Sequence, residues 1–317
     1  MLTTMLLTVT PNPSVDRILH VPHLTAGAVH RATSLQLIAA GKGINVTRTA
    51  HIVGCKVVAT APLGGRNGQL LDDLVQAEGF NADWFRLKSG ETRACTLMTH
   101  DTDDTTVINE EGPLVSTEDW NAFAAHVQKL AQNANAVAFS GSTPLGVDPQ
   151  AFAQLTRSLA NSSRAVYVDT SNAPLAAVLA NPKGLCLKVN QHELAVGLGF
   201  DLGDQPIERL IEAGHSLLKC GASLAVVTLG SSGALAITQT GSWQATPAAI
   251  NLISTVGSGD AMAAGFAVAR LQNKSVADAL VFAVACGSVN ALNNVPGQVD
   301  LSQLDVLQSQ VKLRQVG

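Results

Sequence analysis

Residues 136–169 read AVAFSGSTPLGVDPQAFAQLTRSLANSSRAVYVD. An apolar run ends on Ser140, a Gly-Ser-Thr-Pro connection follows, then a stretch with apolar residues three and four apart, then a second apolar run ending on Asp169. The runs 136–140 and 165–169 predict strands buried on both faces, and the stretch 149–161 between them predicts a helix. Outward from this unit the same grammar recurs. Apolar runs at 6–10, 57–61, 185–189 and 224–228 predict further strands, and 207–220 predicts another helix. Strands alternating with helices imply α/β architecture around a doubly wound, mostly parallel sheet. Ligands of such sheets bind beyond the carboxyl ends of the strands, so polar residues that end strands carry the most functional weight.

Two segments break the rhythm. Residues 18–37 and 92–109 alternate without a helical period, and the second has a turn-like Asp101-Thr102-Asp103-Asp104 at its middle. They predict antiparallel strands set apart from the main sheet as a small β lid. With no low-complexity linker and no internal repeat, the expected organisation is one domain over 1–317, its lid formed by about 13–37 and 91–112.

Composition narrows the function. With 317 residues and 46% hydrophobic content, the chain can bury a large core. A formal charge of −4 lacks the basic footprint of a nucleic-acid binder, and 4% aromatics supply few stacking platforms. Mean hydropathy is +0.22, yet the apolar stretches fall short of the roughly 20 residues a membrane span needs. Residues 1–9 are apolar but have no basic flank or small-residue cleavage site, so no secretory signal is expected. Five scattered cysteines without a C-x-x-C pair fit small core residues in a reduced cytoplasm.

The sharpest motif is Ser254-Thr255-Val256-Gly257-Ser258-Gly259-Asp260-Ala261-Met262, ahead of a helix of small residues. Gly257 and Gly259 let backbone N–H groups approach a ligand, and the helix N-terminus favours negative charge. With Ser258 they form an anion hole. Asp260 at its mouth is the candidate base for a hydroxyl attacking a phosphoryl group. The plainer alternative makes Asp260 an N-cap. A dinucleotide loop is excluded, because Met262 replaces the third glycine of G-x-G-x-x-G.

Second comes Ala40-Gly41-Lys42-Gly43-Ile44-Asn45-Val46, opening a helix through Ile52. Lys42 between two glycines suits a phosphate or a sugar hydroxyl, but the stretch is no P-loop, since Gly43 stands where Ser or Thr would ligate magnesium. Asp16, Ser140, Asn190 with Glu193, Lys188 beside them, and Thr228-Leu229-Gly230-Ser231-Ser232-Gly233 lie at or near predicted strand ends. Each has a bland reading as loop or cap. The eight histidines show no zinc spacing.

Together these segments resemble the phosphofructokinase-B branch of the ribokinase-like carbohydrate kinases over essentially the whole chain. The resemblance implies that Asp260 is the catalytic base and that Gly257, Ser258 and Gly259 form the anion hole. It puts Asp16, Gly41, Lys42, Asn45, Arg93, Asn109 and Ser140 on the sugar phosphate. Lys188, Asn190, Thr228, Gly230, Gly233 and Asn290 match the ATP side, with Asn190 and Glu193 organising Mg2+ through its waters. A lid that also makes a homodimer contact is implied too. Thr10-Pro11-Asn12-Pro13-Ser14-Val15-Asp16 and Ala39-Ala40-Gly41-Lys42-Gly43 look most like 1-phosphofructokinases and tagatose-6-phosphate kinases. Three departures stand out: Val189 and Leu145 replace prolines, and Ala28 stands where some 6-phosphofructokinases carry a phosphate-binding lysine. The expected reaction is ATP-dependent phosphorylation of a ketohexose phosphate, with fructose 1-phosphate first and tagatose 6-phosphate or fructose 6-phosphate as alternatives. A non-catalytic sugar-phosphate or nucleotide-binding regulator on the same fold is the alternative of another class.

Overall fold

The computed structural model describes residues 4–101, 105–160, 164–199 and 206–317. The chain opens with β1 (Met5–Val9), β2 (Ser14–His20) and β3 (Ser34–Ala40) before α1 (Lys42–Ile52). Next come β4 (Lys56–Thr60), β5 (Pro62–Leu63), α2 (Gly65–Glu78), β6 (Asn81–Ala82), β7 (Phe85–Arg86), β8 (Arg93–Thr99) and β9 (Thr105–Asn109). A regular alternation follows: α3 (Thr117–Ala131), β10 (Ala136–Ser140), α4 (Pro149–Ala160), β11 (Ala165–Asp169), α5 (Asn172–Leu179), β12 (Leu185–Asn190), α6 (Gln191–Leu198), α7 (Ile207–Lys219) and β13 (Leu224–Thr228). The last part holds β14 (Ala234–Thr238), β15 (Gly241–Thr246), α8 (Ser258–Leu271), α9 (Val276–Asn290), α10 (Leu301–Gln310) and β16 (Lys312–Val316).

The main sheet has the order β16-β15-β14-β13-β12-β11-β10-β1-β4-β6. From β6 to β13 neighbouring strands are parallel, and β14, β15 and β16 close the edge antiparallel. The chain leaves β1 first toward β4 and later returns on its other side with β10, so the strand order reverses at β1. That reversal opens a crevice at the carboxyl ends of β1 and β10.

Side-chain size explains the two layers. Along β10, Val137 and Phe139 point into a core with Trp120, Phe123, Phe152 and Leu175 from α3, α4 and α5. Each large buried apolar side chain there contributes about 1.5–3 kcal/mol. Ala136 and Ala138 face the other way, toward Val46 and Ala50 of α1 and Ala264, Ala267 and Val268 of α8. Small residues on both sides bring α8 close to the sheet, and that closeness carries its N-terminus to the strand ends.

The second sheet has the order β3-β2-β8-β9. Its strands were expected to be antiparallel throughout, but β2 and β8 pair in parallel, Ser14 with Arg93 through His20 with Thr99. Both strands leave the main body from the same side and run outward together, and β3 and β9 then return antiparallel on the flanks. The predicted turn at Asp101 extends into 102–104, outside the described residues.

Candidate active site

Gly257 takes φ 83° and is the N-cap of α8. A side chain there would also collide with Pro296, whose Cα would lie 2.7 Å from the new Cβ, so glycine is required twice over. Among the described residues the Gly257 and Gly259 N–H groups have no hydrogen-bond partner, leaving two donors open at a helix N-terminus. Asn290 braces this turn from behind. It is fully buried, donates from Nδ2 to Val256 O at 2.9 Å and Ser258 Oγ at 3.2 Å, and accepts from Gly297 N at 2.6 Å.

Asp260 is the third residue of α8, so the N-cap alternative does not hold. Its Oδ2 accepts from Asn45 Nδ2 at 2.8 Å. Burial pushes its carboxyl up to about 6, against the pull of Lys42; the Asp169 charge adds to the rise, while Lys188 and the Asn45 bond lower it. At neutral pH such a group is mostly ionised yet poised to take a proton.

The Gly-Lys-Gly loop is no ordinary surface loop. A Cβ on Gly43 would come within 2.9 Å of Val9 O, so the start of α1 docks directly on the end of β1. Lys42 thereby reaches Asp169 Oδ1 at 3.2 Å, while Lys188 from β12 holds Asp169 Oδ2 at 2.6 Å. The Lys188 ammonium would lie 3.2 Å from a Cβ on Gly259, which puts it beside the open N–H groups of α8. Burial alone would raise the Asp169 carboxyl, but Lys188 and Lys42 overcome it and its pKa falls below the usual range. Asp169 in turn holds Lys42 protonated beyond its ordinary range. Sequence reasoning missed Asp169, although an aspartate ending a parallel strand was the available signal.

Other predicted residues occupy the same edge. Ser140 is in register with Asp169, and Asn190 with Thr228. Asp16, on β2, accepts from Ser14 Oγ at 2.6 Å, and burial raises its carboxyl. Arg93 donates to Glu110 O at 2.9 Å and Asn12 O at 3.1 Å, and its buried Nε has no partner among the described residues. Thr10, Asn12, Thr60 and Thr170 each add a buried side-chain oxygen with no partner among the described residues at this end of the sheet, where a polar ligand is the natural complement. Asn109 is exposed on the lid edge. Gly230 starts a 3-10 turn, and Gly233 at φ 89° packs against Ala245 O.

Asn190 and Glu193 form a reciprocal capping box on α6. Asn190 Oδ1 accepts from Glu193 N at 2.7 Å and Glu193 Oε2 accepts from Asn190 N at 2.9 Å. Glu193 Oε1 has no protein partner among the described residues, so one carboxylate oxygen remains for a water of a hydrated cation. No cluster of three or more His, Cys, Asp or Glu able to hold a metal occurs among the described residues.

A buried carboxylate, two open N–H donors at a helix N-terminus and two lysines gather at the strand ends, a set suited to phosphoryl transfer. Residues 10–297 match the pfkB family carbohydrate kinase model, and the chain belongs to that family. Phosphofructokinase-2 from Escherichia coli, solved with fructose-6-phosphate, is 25% identical, with 98% of this chain and 99% of that one covered and a TM-score of 0.87. The same enzyme solved with potassium gives 26%, 98%, 99% and 0.88. A Thermotoga maritima protein described as "Possible 1-phosphofructokinase" shares the fold at 23% identity, covering 99% and 100%, with a TM-score of 0.87. The molecule is a sugar-phosphate kinase with a ribokinase-like fold. No helix among the described residues is long and apolar enough to cross a membrane.

Proposed function

We propose that the chain transfers the γ-phosphoryl group of ATP to a hydroxyl of a ketohexose phosphate, with fructose 1-phosphate as the preferred acceptor. The observation that carries this reading is Asp260, buried on the first turn of α8 beside two unpartnered N–H groups and within the field of Lys42 and Lys188. The acceptor oxygen attacks the γ-phosphorus, the bond to the bridging oxygen breaks with its electrons leaving on ADP, and the hydroxyl proton passes to Asp260. The amides of Gly257 and Gly259, with Ser258 between them, receive the charge of the moving group, and the two lysines flank it.

The sugar phosphate is assigned to Asp16, Gly41, Lys42, Asn45, Arg93, Asn109 and Ser140. The unpartnered Arg93 Nε supports a phosphate at that end. The nucleotide is assigned to Lys188, Asn190, Thr228, Gly230 and Gly233, with Asn290 acting through the turn it braces. Mg2+ would neutralise the phosphates, held through its waters by Glu193 and Asn190. Lid residues Leu35, Leu37, Val107 and Ile108 expose apolar side chains, which supports a homodimer through the lid. Five unpaired cysteines favour a cytoplasmic setting. The exposed Ala28, in the connection between β2 and β3, favours fructose 1-phosphate over fructose 6-phosphate.

Coupled ADP release across a panel of hexose and pentose phosphates tests the reading. The highest kcat/KM is expected for fructose 1-phosphate. A higher value for tagatose 6-phosphate or fructose 6-phosphate would reassign the acceptor. Thermal stabilisation by ATP-Mg and sugar phosphate without ADP release would instead indicate a regulator.

A further inference from the structure

Arg48 is a buried charge that the chemistry above leaves unused. It lies on α1, 3% exposed, and all five of its N–H donors are engaged. Nε and Nη2 hold the two oxygens of Glu78 at 2.5 and 2.8 Å, and Nη2 also donates to Ala39 O at 2.6 Å. Nη1 donates to Pro296 O at 2.6 Å and to Asn45 Oδ1 at 3.1 Å. A guanidinium carries its donors in one rigid plane, so four of these bonds fix the direction of the fifth. That fifth bond reaches the reaction. An asparagine amide has one accepting and one donating end. With Oδ1 held by Arg48, the NH2 group is turned to Asp260 Oδ2 at 2.8 Å. The reversed amide would point an oxygen at a carboxylate.

We propose that Arg48, clamped by Glu78, is a positioning residue for phosphoryl transfer, fixing the Asn45 amide so that it donates to the Asp260 carboxylate. This rests on Asp260 being the base. Glu78, 28% exposed at the end of α2, thus begins a relay that runs through Arg48 and Asn45 to the buried carboxylate. The other charges facing Asp260 are Lys42 of α1, Asp169 of β11 and Lys188 of β12, and Arg48 also acts on Asp16 of β2.

Arg48→Lys keeps a positive charge beside Glu78 but cannot span Glu78, Ala39, Pro296 and Asn45 at once. Two readouts apply: kcat and its pH profile, and the titration of Asp260 by carboxyl 13C NMR without substrates, its signal assigned by its loss in Asp260→Asn. We expect kcat to fall on the order of 10- to 100-fold. The acid limb and the Asp260 titration should both move to higher pH, because a donor to the ionised form is lost. In an Asn45→Ala background, Arg48→Lys should add no more than about a threefold loss, as residues acting through one another are not additive. An unmoved titration, or a full additive loss in the double variant, overturns the proposal. If Arg48→Lys fails to fold, Glu78→Gln keeps the guanidinium and loosens the clamp; the titration should move the same way by less, and no movement there is equally fatal. A parent protein that phosphorylates no sugar phosphate refutes the kinase reading, while the NMR titration still decides the positioning.

Discussion

Asp169 and Asp260 are buried aspartates within reach of the same two lysines, yet their carboxyls shift in opposite directions. Asp169, at the end of β11, touches both ammonium groups directly. Asp260, on the first turn of α8, has an amide as its hydrogen-bond partner and feels the lysines from further off. Burial raises the carboxyl at both places, and contact decides the outcome. One carboxylate is committed to holding lysines in place. The other is left with its carboxyl raised to about 6.

The largest expected effect breaks the pair at its chemical member. Asp260→Asn should lower kcat by roughly 10²–10⁴, measured on folded protein at saturating ATP-Mg. A rate within about threefold of the parent would remove Asp260 as the base. The same variant should be more stable. A folded-state pKa raised to about 6 means that the ionised carboxyl is penalised above that pH, and the penalty fades as pH falls from there toward 3.8. Asn carries no such penalty, so the gain at neutral pH should be about 3 kcal/mol, read from the denaturant midpoint.

Asp169→Asn should have the opposite sign. Its lowered pKa contributes stability that is present above the unfolded value and lost as pH falls through the folded one. Removing the charge also strands Lys188, whose side chain is 14% exposed. A loss of about 3–5 kcal/mol is expected, and a neutral result would mean that the lysines find Asp260 instead. The smallest effect sharpens the comparison. The parent kcat/KM should fall as pH drops through about 6, and Asp169→Asn should move that limb to lower pH, because a repelling charge is gone and two lysines are freed. A limb that stays in place would mean that the two carboxyls do not sense each other.

The parallel strands were legible because a strand buried on both faces reads as an unbroken apolar run; 224–228 matches β13 at both ends. The antiparallel edge was not. β16 is KLRQV, largely exposed, and nothing in its composition separates it from a loop. Asp260 and Lys42 could be found because glycines mark them locally. Arg48 could not, since its partners sit at 78 and 296 and only its place among buried positions of α1 betrays it. The capping role of Asn190 and Glu193 was available in their three-residue spacing, whereas the cation came from the family resemblance alone.

The Asn45 bond to Asp260 joins residues 215 apart, and Arg48 meets Pro296 across 248. Contacts that close such long loops form late, after local structure is in place. During synthesis the amino-terminal residues emerge and begin to fold first. A chain stopped short of residue 257 therefore holds Lys42, Asn45 and Arg48 without Asp260 or the Gly257 and Gly259 amides. Arg48 keeps a donor waiting until Pro296 arrives. Turnover in this molecule is thus a report that the last part of the chain has docked onto the first.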